Sequence, residues 1–180
     1  NVIAGIVRGQ LPYLDEHIRK KKCIYEKYKE GFKGLPVTMN PFDERNSEPN
    51  FWLSCMMIKP ESMCRVTMSD KEAKYLPEHG KSSPGEILEA IQSINAEGRP
   101  IWKPMHMQPI FRSAPFINRN GNVCLETDDF TEETFFSTTD HHPLDVGRDI
   151  FVRGLCLPSD IKMTSEDQDV IIDVVKECFD

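Results

Sequence analysis

Arg99-Pro100-Ile101-Trp102-Lys103-Pro104-Met105-His106-Met107-Gln108-Pro109-Ile110-Phe111-Arg112 is the stretch around which the rest of the sequence arranges itself. Its three prolines remove three backbone donors and fix three φ angles, which excludes a helix and disfavours a central strand. What remains is a stiff extended segment that holds a Trp, a Lys, a His and a Gln without a regular ladder. Such a segment suits a binding site. It suits equally well a proline-rich connector whose Trp102 plugs the core, since a single histidine carries little information.

The 180 residues fit one domain, or one domain and a piece of another. With 39% hydrophobic and 28% charged residues the composition is that of an ordinary globular protein. A net charge of −7 argues against a nucleic-acid surface. The basic run Arg19-Lys20-Lys21-Lys22 is followed by Glu26 and Glu30, as on a solvated helix face. No apolar run reaches the roughly 20 residues of a membrane span, and no signal peptide is recognisable. The chain lacks an initiator Met and begins inside a helical pattern, which reads as an excised fragment. Cys23, Cys55, Cys64, Cys124, Cys156 and Cys178 form no CxxC pair, and several sit in apolar runs. They read as reduced, buried small hydrophobes in a reducing, cytoplasmic compartment. His141-His142 has no Cys or His at ligand spacing, so no metal site is expected.

Val2, Ile3, Ile6, Val7 and Leu11 recur at helical spacing after Asn1, a good N-cap type. Gly5 and Gly9 in that helix suggest close approach of another backbone or a ligand. A long second helix is expected over 12–32, with Leu14, Ile18, Ile24, Tyr25, Tyr28 and Phe32 on its apolar side, stopped by Gly31 and Gly34. Loop chemistry fills 35–49, and the apolar run 50–58 reads as a core strand. Residues 61–83 give little signal. Ser83-Pro84 opens a helix closed by Gly98. Residues 113–142 read as a long loop with a turn at Asn120-Gly121 and an acidic run from Glu126 to Glu133. A short helix is expected over 144–153, a short buried strand over 154–158, and a final helix capped by Thr164 or Ser165, with Asp167 and Gln168 as capping-box partners. Helices segregated on a small sheet make an α+β domain.

Three of these stretches resemble one family. Asn1 to Leu11 with Leu14-Asp15-Glu16 is similar to the segment joining the large and small domains of the DegT/DnrJ/StrS sugar aminotransferases, which depend on pyridoxal phosphate. Ile101 to Pro109 resembles a motif of the branch acting on UDP-linked 4-keto-6-deoxy-N-acetyl sugars. Gly154-Leu155-Cys156-Leu157-Pro158-Ser159, followed by a Thr-capped helix, is similar to the family's C-terminal signature.

The resemblance implies the small C-terminal domain of a fold-type I aminotransferase. Residues 1–20 would be a remnant of the large domain and the start of a bridging helix, and 21–180 the small domain. The parent would be a homodimer with its active site at the interface, moving an amino group from glutamate to the C4 keto group of a nucleotide sugar. Trp102, Lys103 and His106 would line the sugar-nucleotide side of the cleft, and Arg8 would lie near the substrate phosphates. The Schiff-base lysine belongs upstream of residue 1, and no lysine here sits in its motif. The 180 residues alone are therefore expected to be inactive and to hold no cofactor covalently. The alternative is a non-catalytic module of the same family that binds a sugar nucleotide or a partner. Without the large domain, the apolar stripe of residues 1–20 is expected to drive self-association or to be disordered.

Overall fold

The computed structural model describes residues 1–68, 73–111, 113–124 and 145–180. Helix α1 (Val2–Gln10) is capped by the Asn1 side chain, which accepts from the Ile3 amide. Pro12 lies in a 3-10 turn, Leu11–Tyr13, and not in the first turn of the long helix; α2 spans Leu14–Gly31. Strands β1 (Val37–Met39) and β2 (Cys55–Ile58) follow, then β3 (Val66–Met68) and β4 (Ala73–Tyr75). Helix α3 (Pro84–Ser93) starts on the Ser83 side chain, which accepts from the Glu86 amide. Next come β5 (Arg99–Pro100), β6 (Phe116–Ile117), β7 (Val123–Cys124), α4 (Val146–Arg153), β8 (Gly154–Cys156) and α5 (Ser165–Glu177). Thr164 is the cap of α5, in a full capping box with Asp167.

The main sheet runs β1-β2-β8-β5 with every neighbouring pair antiparallel. This small sheet and the helices packed on it are the α+β arrangement that the sequence predicts. One face carries the core: Met56, Ile58, Leu155 and Leu157 pack with Ile24, Tyr28 and Phe32 of the α2 region, Ile87 and Ile91 of α3, and Ile171, Ile172 and Val175 of α5. Each such aliphatic side chain contributes roughly 1.5–3 kcal/mol on burial. Polar groups fix the register of these helices. Gln168 Nε2 donates to the Ile24 carbonyl at 2.8 Å, and the Tyr28 hydroxyl donates to the Pro158 carbonyl at 2.8 Å. A Cβ on Gly31 would lie 2.7 Å from Ile172 Cδ1, so α2 and α5 meet there on a glycine. Burial raises the pKa of the Tyr28 phenol well above its usual value.

Because side chains alternate along a strand, Cys55, Met57, Gly154 and Cys156 face the opposite side of the sheet. That side is covered by α4 and by the segment after β5. A Cβ on Gly154 would lie 2.4 Å from the Ile150 carbonyl oxygen and 2.8 Å from Ile101 Cγ1, so only glycine admits both. Arg153 anchors α4 to β2, donating to both Asp149 carboxylate oxygens and to the Ile58 carbonyl.

Several expectations are corrected. The run 50–58 is a strand only over Cys55–Ile58, because Phe51 adopts a positive φ of 52° and turns the chain. The ring of Phe51 packs into Tyr25 and Phe42, while Trp52 points outward. The stretch 35–49 holds β1, and 61–83 holds the β3–β4 ribbon. Residues 113–124 form the β6–β7 ribbon around Asn118, whose Oδ1 accepts from the Asn120 and Asn122 amides. The rest of the expected loop, with the acidic run and His141-His142, lies outside the described residues. Helix α3 ends at Ser93 with Ile94 as its C-cap, before Asn95 with φ 61°, and Gly98 instead admits Leu88 and the Cys156 carbonyl. No residue of α1 is buried, and nothing described lies within 4 Å of a Cβ on Gly5 or Gly9, so these glycines serve no close approach within the described residues. No helix among the described residues is long and apolar enough to cross a membrane.

Candidate functional site

The proline-rich stretch is neither helix nor plain extended chain. Its first two residues, Arg99–Pro100, make an edge strand on β8, where proline's missing donor is harmless. Pro104 and Pro109 then open two 3-10 turns, Met105–Met107 and Pro109–Phe111. Gln108 Nε2 donates to the Lys103 carbonyl at 3.3 Å, closing the loop on itself. Met107 is buried beneath it, and Pro104 lies against Gly147, where a Cβ would stand 3.3 Å from the proline ring.

This local geometry turns His106 inward. Its Nε2 lies 2.7 Å from Oδ2 of Asp145, and its ring stacks on Phe116 with centroids 4.2 Å apart and an 18° interplanar angle. Asp145 is the N-cap of α4, and its other oxygen, Oδ1, accepts from the Arg148 amide at 2.9 Å. One buried carboxylate therefore joins a helix N-terminus, where negative charge is favoured, to an imidazole. A carboxylate accepting at Nε2 places a proton on that nitrogen, and a neutral ring then offers Nδ1 as an acceptor. Sequence reasoning missed Asp145 and Phe116. The only local signal was that Asp is a capping residue type ahead of a helix.

Trp102 stands on the surface, 64% exposed, and meets Trp52, also 64% exposed, with ring centroids 6.0 Å apart and a 37° tilt. Trp102 therefore does not plug the core. Trp52, too, was missed. Three features hold it outward: its amide donates to Asn50 Oδ1 at 3.0 Å, Phe51 takes the left-handed backbone, and Lys21 Nζ donates to its carbonyl at 3.1 Å. Lys103 is half-buried beside this pair in sequence. Arg8 is on exposed α1, and no hydrogen bond or ion pair joins it to Trp102, Lys103 or His106 among the described residues. His106 and Trp102 thus stand on one segment after β5, and Arg8 stands on a separate exposed helix.

No cluster of three or more metal-ligating side chains exists among the described residues. Pyridoxal phosphate would need a lysine free to form a Schiff base. Burial does lower the Lys21 pKa, with Asp160 acting the other way, but its ammonium donates to the Trp52 and Ser159 carbonyls. Lys27 is likewise engaged, with Asp169 and Ser165. Both ammonium groups are thus engaged within the fold.

The fold is that of part of an aminotransferase. The aminotransferase TlmJ of Streptoalloteichus hindustanus superposes with a TM-score of 0.63 at 13% identity, covering 97% of this chain and 35% of TlmJ. DesI, solved in the presence of its TDP-sugar product, superposes with a TM-score of 0.60 at 15% identity, covering 94% of this chain and 33% of DesI. EpsN of Bacillus subtilis, assigned to the pyridoxal phosphate-dependent aminotransferases, is 28% identical over 181 aligned positions, 99% of this chain and 36% of EpsN. The DegT/DnrJ/EryC1/StrS aminotransferase family model matches residues 1–137, and the chain belongs to that family. It spans about a third of the length of these relatives.

Proposed function

We propose that the chain is the C-terminal, substrate-facing portion of a pyridoxal phosphate-dependent aminotransferase that passes an amino group from glutamate to the C4 keto group of a nucleotide-linked 4-keto-6-deoxy sugar. The nucleotide we assign is UDP, on the resemblance of Ile101 to Pro109. The observation that carries the reading is the surface segment in which Trp102 and His106 are held at fixed positions, one against Trp52 and the other against Asp145. Its support is the family membership, together with the nucleotide sugar present in DesI.

In this reading Trp102 and Lys103 bear on the sugar nucleotide. His106 positions it through Nδ1, its ring fixed by Asp145 and Phe116. Arg8 meets the phosphates only where another part of the enzyme, or the second subunit of a cytoplasmic homodimer, is brought to α1. The cofactor, when bound in the full enzyme, supplies the electron sink for amino transfer. The chain's own contribution is orientation, which is a large part of what an enzyme adds.

The test is an absorbance spectrum of the full-length protein with pyridoxal phosphate, before and after glutamate, followed by UDP-4-keto sugar. A visible band of the lysine-bound cofactor that shifts with glutamate and returns with the keto sugar is the expected result. The 180 residues alone should give no such band. Absence of the band from the full-length protein would overturn the aminotransferase reading in favour of a deoxygenating relative with His in place of the lysine, or of a binding module.

A further inference from the structure

The face of the sheet turned toward the candidate site carries two thiols side by side. Cys55 on β2 and Cys156 on β8 are direct cross-strand partners, and their sulfurs are 3.6 Å apart. The backbone groups of Cys55 bond to the β1 side. Its amide donates to Asn40 Oδ1 and its carbonyl accepts from the Asn40 amide, both at 2.9 Å. The Leu157 amide donates to the Ser54 carbonyl one position along. Cys55 and Cys156 are therefore a non-hydrogen-bonded pair, the type whose Cα atoms approach to about 4.5 Å and whose side chains are nearest. That separation lies inside the roughly 4.4–6.8 Å range of disulfides. Cys156 is buried and Cys55 half-buried. Each thiol also acts on the other: the hydrogen bond between them lowers the Cys156 pKa and raises that of Cys55.

We propose that Cys55 and Cys156 are a modification site, a cross-strand dithiol that a hydroperoxide closes reversibly to a disulfide. The Cys156 sulfur attacks a peroxide oxygen; an S–O bond forms, the O–O bond breaks and one water leaves. The Cys55 sulfur then attacks the Cys156 sulfenic acid; the S–S bond forms, the S–O bond breaks and a second water leaves. Two thiols and one hydrogen peroxide give one disulfide and two waters, the sulfurs oxidised and the peroxide reduced. A thiol reductant reverses the change by exchange. The link would join strands about a hundred residues apart in sequence, so it restrains a large loop of the unfolded chain. It lies on the face where Ile101 packs on Gly154, directly ahead of Trp102. None of this depends on the proposed reaction.

The experiment exposes the full-length protein to hydrogen peroxide, alkylates it in denaturant, and maps its peptides by mass spectrometry. The expected product is one cross-linked peptide pair holding Cys55 and Cys156, lighter by two hydrogens, which dithiothreitol restores. Cys23, exposed and remote, should still alkylate. Alkylation of both Cys55 and Cys156 after peroxide, or their pairing with other cysteines, would overturn the proposal. In a Cys55→Ser variant a sulfenic-acid trap should label Cys156. A new disulfide from Cys156 to any other cysteine would count against the assigned pair. Oxidised wild-type protein should melt higher than reduced, with the Cys55→Ser variant indifferent to peroxide. A lower melting temperature on closure would show that the native strands do not accommodate the bond.

Discussion

Gly154 and Ile101 meet where a larger residue than glycine would not fit at position 154, since a Cβ there would lie 2.8 Å from Ile101 Cγ1 and 2.4 Å from the Ile150 carbonyl oxygen. The contact lets the segment after β5 and the last turn of α4 share one spot on the sheet. A Gly154→Ala substitution must push a rigid backbone carbonyl aside. Overpacking of this kind costs roughly 1–3 kcal/mol, occasionally more. Urea denaturation should report a loss at the upper end of that range. Gly5→Ala is the contrasting case, because its Cβ meets nothing within 4 Å and the residue is in a helix. It should gain about 0.5–1 kcal/mol of helix stability.

Asp145 serves two donors, and its two oxygens can be separated by substitution. Asp145→Ala removes the α4 cap and the partner of His106 together, a loss of about 2–3 kcal/mol when a cap and one buried hydrogen bond are added. Asp145→Asn keeps a capping oxygen and should lose under about 1 kcal/mol of stability. Chemical denaturation of the two variants, measured side by side, checks the difference. Equal losses would mean that the carboxylate's charge, and not its two hydrogen bonds, holds the corner.

Trp52 and Trp102 are displayed outward rather than packed inward. Trp52→Ala should therefore leave the unfolding midpoint within about 0.5 kcal/mol of wild type, as surface substitutions do. In the full-length enzyme the same change should raise KM for the nucleotide sugar about tenfold, equivalent to roughly 1.4 kcal/mol. A fall in kcat with KM unchanged would remove the ring pair from substrate binding.

Alkaline pH should weaken the fold. Burial, with Glu86 and Glu177 nearby, pushes the Cys178 thiol from its usual 9.0 up to about 11. The folded pKa is the higher one, so between these values the unfolded chain ionises first and binds fewer protons. The stabilising contribution is complete below pH 9 and fades as pH rises toward 11. The raised Tyr28 phenol acts in the same direction at higher pH. Melting temperatures from pH 8 to 11 should fall less steeply in Cys178→Ala than in wild type.

The first helix and the turn after it offer Val2, Ile3, Ile6, Val7 and Leu11 to solvent. The isolated 180 residues should self-associate through this stripe. Light scattering should give a mass above 20.7 kDa that rises with concentration. An Ile6→Glu, Val7→Glu double variant should return a monomer; a monodisperse wild-type monomer would remove the expectation.

What the sequence made legible was local chemistry. Asn1, Ser83-Pro84 and the Thr164–Asp167 box announce helix starts because a cap is a contact between near neighbours. Strands of two to four residues are too short to establish a period of two, and β3, β4, β6 and β7 went unread for that reason. The run around Trp52 looked like one buried strand because apolar composition does not record a positive φ at Phe51. His106 was readable as a held side chain from its flanking prolines. Its partner Asp145 was not, because 39 residues separate them and only tertiary structure closes that distance. Lys103 was singled out by its motif alone, and no geometry here gives it a partner of comparable definition.

Strand β8 is inserted between β2 and β5, pairing Cys55 with Cys156 and Arg99 with Cys156. On the ribosome, β1 and β2 emerge long before their central neighbour. At about 5–20 residues per second, β2 waits on the order of ten seconds with one edge open. The inner edge of this sheet is therefore the part of the newborn chain most in need of shelter, from a chaperone or from earlier-made portions of the same polypeptide.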